Sequence, residues 1–163
     1  MASTGRRRFL RGAAAAPLAL LARPSVLPAT EYASAFEVLD AIDRREADVD
    51  RRLAAIARAV PGARPFADSV GADHARHRAE REKLRRRLRL RAPAPALAPA
   101  PAKPDLSLAA LREAQQQLVH AHAEGLPALG DAGAVDLLAR HMVDASRHLT
   151  VIDLWLEAEE GRD

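Results

Sequence analysis

Between Ala92 and Asp105 the chain reads Ala-Pro-Ala-Pro-Ala-Leu-Ala-Pro-Ala-Pro-Ala-Lys-Pro-Asp, with five prolines in fourteen residues. Each proline fixes its own φ and removes a backbone donor, so neither a helix nor an inner strand can pass through this stretch. It favours polyproline II instead. The segment therefore divides the 163-residue chain into two halves joined by an extended connection.

Both halves carry apolar residues at helical spacing, and no stretch alternates with period two for long enough to predict a strand. The first predicted helix covers about 34–60, with Leu39, Ile42, Val49, Leu53, Ile56 and Val60 on one seam and Glu46 among them. Pro61-Gly62 ends it, and Pro65 precedes the second helix, about 66–91, with Phe66, Val70, Leu84 and Leu88. The middle of that second seam is polar: Asp73, His74, His77 and Arg81. The third helix, about 106–124, carries Leu108, Leu111, Gln115, Leu118 and His122. A turn over 125–133 leads to the fourth, about 134–160, with Val135, Leu138, Met142, Ala145, Leu149, Ile152 and Leu156. His141, His148 and Trp155 lie alongside.

The connections limit the topology. Helices one and two, and three and four, are joined by short turns and are expected to form antiparallel hairpins. The middle connection spans about 43 Å at ~3.1 Å per residue, and a helix of the second one's length is about 39 Å long. The linker is thus just long enough to run the length of a bundle. A looser Ala-Pro loop between helices packed up-down-up-down is the alternative.

Residues 1–35 read differently. Arg6-Arg7-Arg8-Phe9-Leu10-Arg11 is a basic run, and Gly12–Ala22 is an apolar stretch of eleven residues. On a helix it would span about 16 Å, half of a bilayer's hydrocarbon core, which fits a signal-peptide core and not a membrane anchor. The string Arg6-Arg7-x-Phe9-Leu10-Arg11 resembles the twin-arginine (Tat) export motif, with Arg11 where lysine is usual. Ala33-Ser34-Ala35 offers cleavage after Ala35, and Ala29 is an earlier option. The resemblance implies the Tat translocon as a partner during export, a periplasmic or extracellular location, and a mature domain of 36–163. Tat substrates cross already folded, so this route permits a metal without demanding one.

Composition removes several functions. There is no cysteine, hence no disulfide framework, iron–sulfur cluster or thiol nucleophile. No Gly-rich phosphate loop and no His-Glu-x-x-His motif occurs. The formal charge of +3 comes largely from the leader: cutting after Ala35 leaves 20 basic against 21 acidic residues. Residues 76–91 hold nine Lys/Arg against Glu80 and Glu82, whereas 103–163 hold five basic and eleven acidic residues. The basic run reads as a solvated helix face or a strip for an anionic envelope surface. With only five aromatic residues in the chain, and none among these arginines, it does not read as a nucleic-acid site.

The two halves also resemble each other. Ile42-x-x-x-Glu46-x-x-Val49 parallels Leu111-x-x-x-Gln115-x-x-Leu118, and Asp73-x-x-x-His77 parallels Asp144-x-x-x-His148. This pattern resembles the ferritin-like superfamily, whose first and third helices each bring a Glu and whose second and fourth bring Glu-x-x-His pairs. Phe66-Ala-Asp-Ser-Val70-Gly-Ala-Asp73-His74 is similar to a Phe-Ala-x-x-Met-x-x-Asp-His stretch in small exported ferritin-like proteins. The resemblance implies an all-α four-helix bundle, up-down-down-up, with 92–105 as the long crossover.

Here, however, Gln115, His74 and Ala145 stand where three of the four family glutamates would be. A di-iron pair needs several anionic oxygens, so the sequence points away from di-iron oxidase chemistry. Two readings remain for the polar layer. Glu46, His77, His148, Gln115 and Arg81 form a buried hydrogen-bonded layer that fixes helix register, in an envelope or stress protein with no catalytic residue. Alternatively Glu46, His74, His77 and His148, with His122, Asp73 and Asp144 as further candidates, hold one Zn, Cu or Fe ion.

Overall fold

The computed structural model describes residues 34–90, 105 and 107–160. The twin-arginine motif (Arg6, Arg7, Phe9, Leu10, Arg11), the earlier cleavage point at Ala29 and nearly all of the 92–105 linker lie outside the described residues, whereas the later cleavage point, after Ala35, falls at the start of the first helix. Four helices make up the domain: α1 Ala35–Ala59, α2 Arg64–Arg87, α3 Leu108–Gly125 and α4 Ala132–Glu160. Among the described residues there is no strand, and no helix is long and apolar enough to cross a membrane.

Local chemistry fixes the helix ends. The Ser34 hydroxyl accepts from the Glu37 amide and caps α1, Ser107 does the same for Ala110 at α3, and Asp131 accepts from the Ala134 amide at α4. A 3-10 turn, Pro61–Ala63, joins α1 to α2, and a second, Leu126–Ala128, follows α3. Pro65 sits inside the first turn of α2 and not before it, where its missing N–H has no helical acceptor to lose.

The second helix stops at Arg87, short of the predicted 91. The Leu90 amide donates to the Arg85 carbonyl and the Arg89 amide to the Arg86 carbonyl, and Arg89 has a φ of 54°. This is a Schellman stop with arginine at the left-handed position that glycine usually fills, so no residue at this point announces it. α4 likewise begins two residues earlier than the spacing predicts, because Asp131 supplies the cap.

The seam predicted for the first helix is buried at Leu39, Ile42, Val49, Leu53 and Ile56, joined by Val38, which the spacing did not place there; Val60, predicted on the seam, is the exposed C-cap residue of α1. The buried residues pack with Val70, Leu84, Leu111, Leu118, Leu138 and Ile152 in one core. Helix α1 packs against α2 and α3, and α4 against α3 and α2. Each neighbouring pair runs antiparallel. Arg52 of α1 donates to the Asp105 carbonyl just before α3, while Gly125 at the end of α3 abuts Val38 at the start of α1. Arg87 at the end of α2 meets Asp131 before α4, and Asp73 in the first half of α2 meets His148 in the second half of α4. The middle of the bundle, where all four seams turn polar, therefore receives side chains from every helix.

Candidate functional site

Eight polar side chains are buried there: Glu46, His74, His77, Arg81, Gln115, His122, His141 and His148. Such a density of polar groups in a core is stable only where each finds a partner. They sort into a charged layer and a layer of imidazoles.

The charged layer is built on Arg81, whose side chain is 0% exposed. Its guanidinium donates to both carboxylate oxygens of Glu46, through Nη1 at 3.0 Å and through Nη2. It also forks onto Asp43, with Nε at 2.9 Å and Nη2 at 2.6 Å from Oδ1. Planar, multiply donating geometry of this kind is what distinguishes arginine from lysine in a buried pair. Arg85 donates to the other oxygen of Asp43. His77 Nδ1 lies 3.4 Å from Glu46 Oε1 and its Nε2 3.2 Å from Asp144 Oδ2.

Burial alone would raise the Glu46 carboxyl, but hydrogen bonds from His77 and Arg81 and the guanidinium charge outweigh it and hold the group down at about 2. Burial lowers and Glu46 raises the Arg81 guanidinium, with a net upward shift. The two groups are thus a committed ion pair. Asp43, three residues before Glu46 on the same helix face, is a partner that the sequence reading missed, although its i, i−3 spacing announces it.

The second layer holds His74 and His148, ring centres 5.8 Å apart and planes at 70°. His74 Nδ1 is 2.7 Å from Asp50 Oδ1, and His148 Nε2 is 3.1 Å from Asp73 Oδ2. The other nitrogen of each ring, His74 Nε2 and His148 Nδ1, is buried without a hydrogen-bond partner. Gln115 spends its amide nitrogen on the Ala145 carbonyl at 2.9 Å, and its Oε1 is also buried and unpartnered. Burial, opposed by the bond to Asp73, lowers the His148 pKa. Phe66 stands edge-on to His148, 6.1 Å away, and Trp155 edge-on to Phe66, 4.9 Å away, closing this end with apolar surface.

His141, which the sequence placed merely alongside the fourth seam, is 2% exposed and central. It stacks on His77 at 3.9 Å, donates through Nε2 to Glu80 at 2.7 Å and faces Arg81 with Nδ1 at 3.5 Å. It lies seven residues before His148, two helical turns along the same face. His122 donates through Nδ1 to the Leu118 carbonyl of its own helix at 2.9 Å, leaving Nε2 unpartnered. Burial pushes both His122 and His141 down to about 4.

The sequence-predicted set thus divides. Glu46 and His77 are engaged with Arg81 and Asp144, His74 and His148 face each other, and Asp73 and Asp144 stand behind His148 and His77. His122 approaches His141, at 6.3 Å between ring centres, and not the His74–His148 pair. Among the described residues no three His, Asp or Glu side chains are already gathered into a metal cage. In the basic run, six of the nine cations of 76–91 meet carboxylates: Arg76, Arg78, Arg81, Arg85, Arg86 and Arg87, on partners that include Asp43, Asp50, Asp131 and Asp144. Much of that local charge is therefore balanced by acids of neighbouring helices. No family model, curated protein or solved structure matches this chain.

Proposed function

We propose that the chain is a Tat-exported, ferritin-like bundle that serves in the periplasm or outside the cell as a non-enzymatic envelope protein. The up-down-down-up reading is supported by the antiparallel pairing of α1 with both α2 and α3, which asks the connection between α2 and α3 to run the length of the bundle. The observation that carries the non-enzymatic reading is the Arg81 guanidinium seated on Glu46 and Asp43. Glu46 is the one glutamate left at the positions that resemble the di-iron set, and a fixed organic cation already neutralises it. With Gln115 neutral and His74 in place of a glutamate, the anionic oxygens that two iron ions require are missing.

Two measurements test this reading. Residues 1–40 fused to a Tat-dependent reporter should direct export, and Arg6→Lys with Arg7→Lys should abolish it; unchanged export of the double variant contradicts the Tat route. Aerobic Fe(II) oxidation should run no faster with the full chain than with buffer, and saturable acceleration contradicts the non-enzymatic assignment.

A further inference from the structure

We propose that His74 and His148 form a mononuclear binding site for a borderline transition-metal ion of the copper and zinc class, separate from the Arg81 layer and going beyond the role assigned above. Three observations converge on it: a carboxylate against each ring, an unpartnered nitrogen opposite, and the spacing of the two rings. Each ring has one nitrogen against a carboxylate of a neighbouring helix, Asp50 for His74 and Asp73 for His148. An ionised carboxylate only accepts, so the ring proton sits on that side and the opposite nitrogen carries the lone pair. Those two lone-pair nitrogens, His74 Nε2 and His148 Nδ1, are the ones buried without a partner. A carboxylate behind each imidazole is the arrangement that orients a metal-ligating histidine and makes it a stronger donor.

The spacing fits one ion. With metal–nitrogen bonds of about 2.0–2.1 Å, and a ring centre about 1.1 Å behind its nitrogen, two imidazoles on one metal have ring centres roughly 5.2–6.4 Å apart for angles from tetrahedral to linear. The observed 5.8 Å falls inside that range. The ligand types choose the ion: two neutral imidazoles suit copper or zinc and suit magnesium or calcium poorly. Asp50 and Asp73 offset the added charge, and Phe66 keeps water from the His148 side. Gln115 Oε1 is also buried and unpartnered, on a side chain anchored to the Ala145 carbonyl of α4, three residues before His148.

Trp155, the chain's single tryptophan, reports on the site, since it packs on Phe66, which packs on His148. Cu(II) titrated into metal-stripped full-length chain should quench Trp155 saturably at about one equivalent, and Zn(II) should compete it off. His74→Asn or His148→Asn should weaken Cu(II) binding at least 100-fold, while His120→Ala and His122→Leu leave it unchanged. Asp50→Asn and Asp73→Asn, which remove only the supporting carboxylates, should each weaken it about 10- to 100-fold. Should the histidine variants not fold, nitrogen hyperfine coupling in the electron paramagnetic resonance spectrum of the Cu(II)-loaded parent chain shows whether imidazoles ligate the ion. Absence of saturable quenching, quenching that survives in folded His74→Asn, or a spectrum without imidazole nitrogen coupling overturns the proposal.

Discussion

His141 lies flat on His77, ring centres 3.9 Å apart and planes 22° from parallel. The contact brings α4 against α2 at the level where Arg81 enters from α2 and Glu46 from α1. A cation placed on His141 would sit against a second imidazole and 3.5 Å from the guanidinium. The fold therefore holds His141 neutral by burial, down to about 4, and treats His122 alike.

This sets the acid stability of the domain. Both histidines titrate near 6.5 in an unfolded chain and near 4 in the folded one. The unfolded state binds protons first as pH falls, so stability is fully present above about pH 6.5 and declines between 6.5 and 4. Glu46, held at about 2, extends the loss below its unfolded value of about 4.3. Urea midpoints measured from pH 7.5 to 4.5 should fall steadily; a flat profile over that interval contradicts the burial of neutral imidazoles.

His122 is the buried polar group with least to lose. One nitrogen is satisfied by its own helix and the other has no partner. His122→Leu should raise stability by about 1 kcal/mol at neutral pH, because it removes a desolvated group left unpaired, and by more at pH 5. Destabilisation would show that Nε2 has a partner in solution.

Gly125 is required by packing. A Cβ built there collides with the Cγ1 of Val38, a residue with no exposed surface. Gly125→Ala should cost about 1–3 kcal/mol through overpacking, and Val38→Ala in the same chain should recover part of it. A full-cost, purely additive double variant in thermal unfolding would rule out that contact as the cause.

At Arg89 the backbone pays a small conformational penalty, with φ at 54° in a Schellman stop. Arg89→Gly should stabilise the domain by about 1 kcal/mol, since glycine enters this region without a Cβ clash. A loss of stability would mean that the Arg89 side chain outweighs its backbone strain.

The helices, their hairpin pairing and most of the core were legible in the sequence because apolar spacing and turn chemistry act locally. So was the polar layer, from Glu46, His77, Gln115 and His148 lying on seams. What it could not disclose was partner choice. Which of several carboxylates Arg81 would take depends on the rotation of α1 against α2, and that is settled by packing across the whole interface. The same rotation gave Asp50 to His74 and left Glu46 to Arg81, dividing a set of four expected ligands between two layers. His141 escaped notice because its heptad relation to His148 gains meaning only once α4 faces α2. The end of α2 escaped for another reason: its stop uses arginine in a place where sequence alone looks for glycine.

A buried guanidinium, paired with Glu46, holds the centre of the bundle. A double-mutant cycle by urea unfolding at pH 7 measures it directly. Arg81→Met alone should cost about 3–5 kcal/mol, because it strands a carboxylate with no exposed surface. Arg81→Met with Glu46→Leu should be less destabilised than Arg81→Met alone, giving a coupling of about 2 kcal/mol or more. Single effects that simply add, with coupling near zero, would show that the Arg81–Glu46 pair does not hold the bundle's centre.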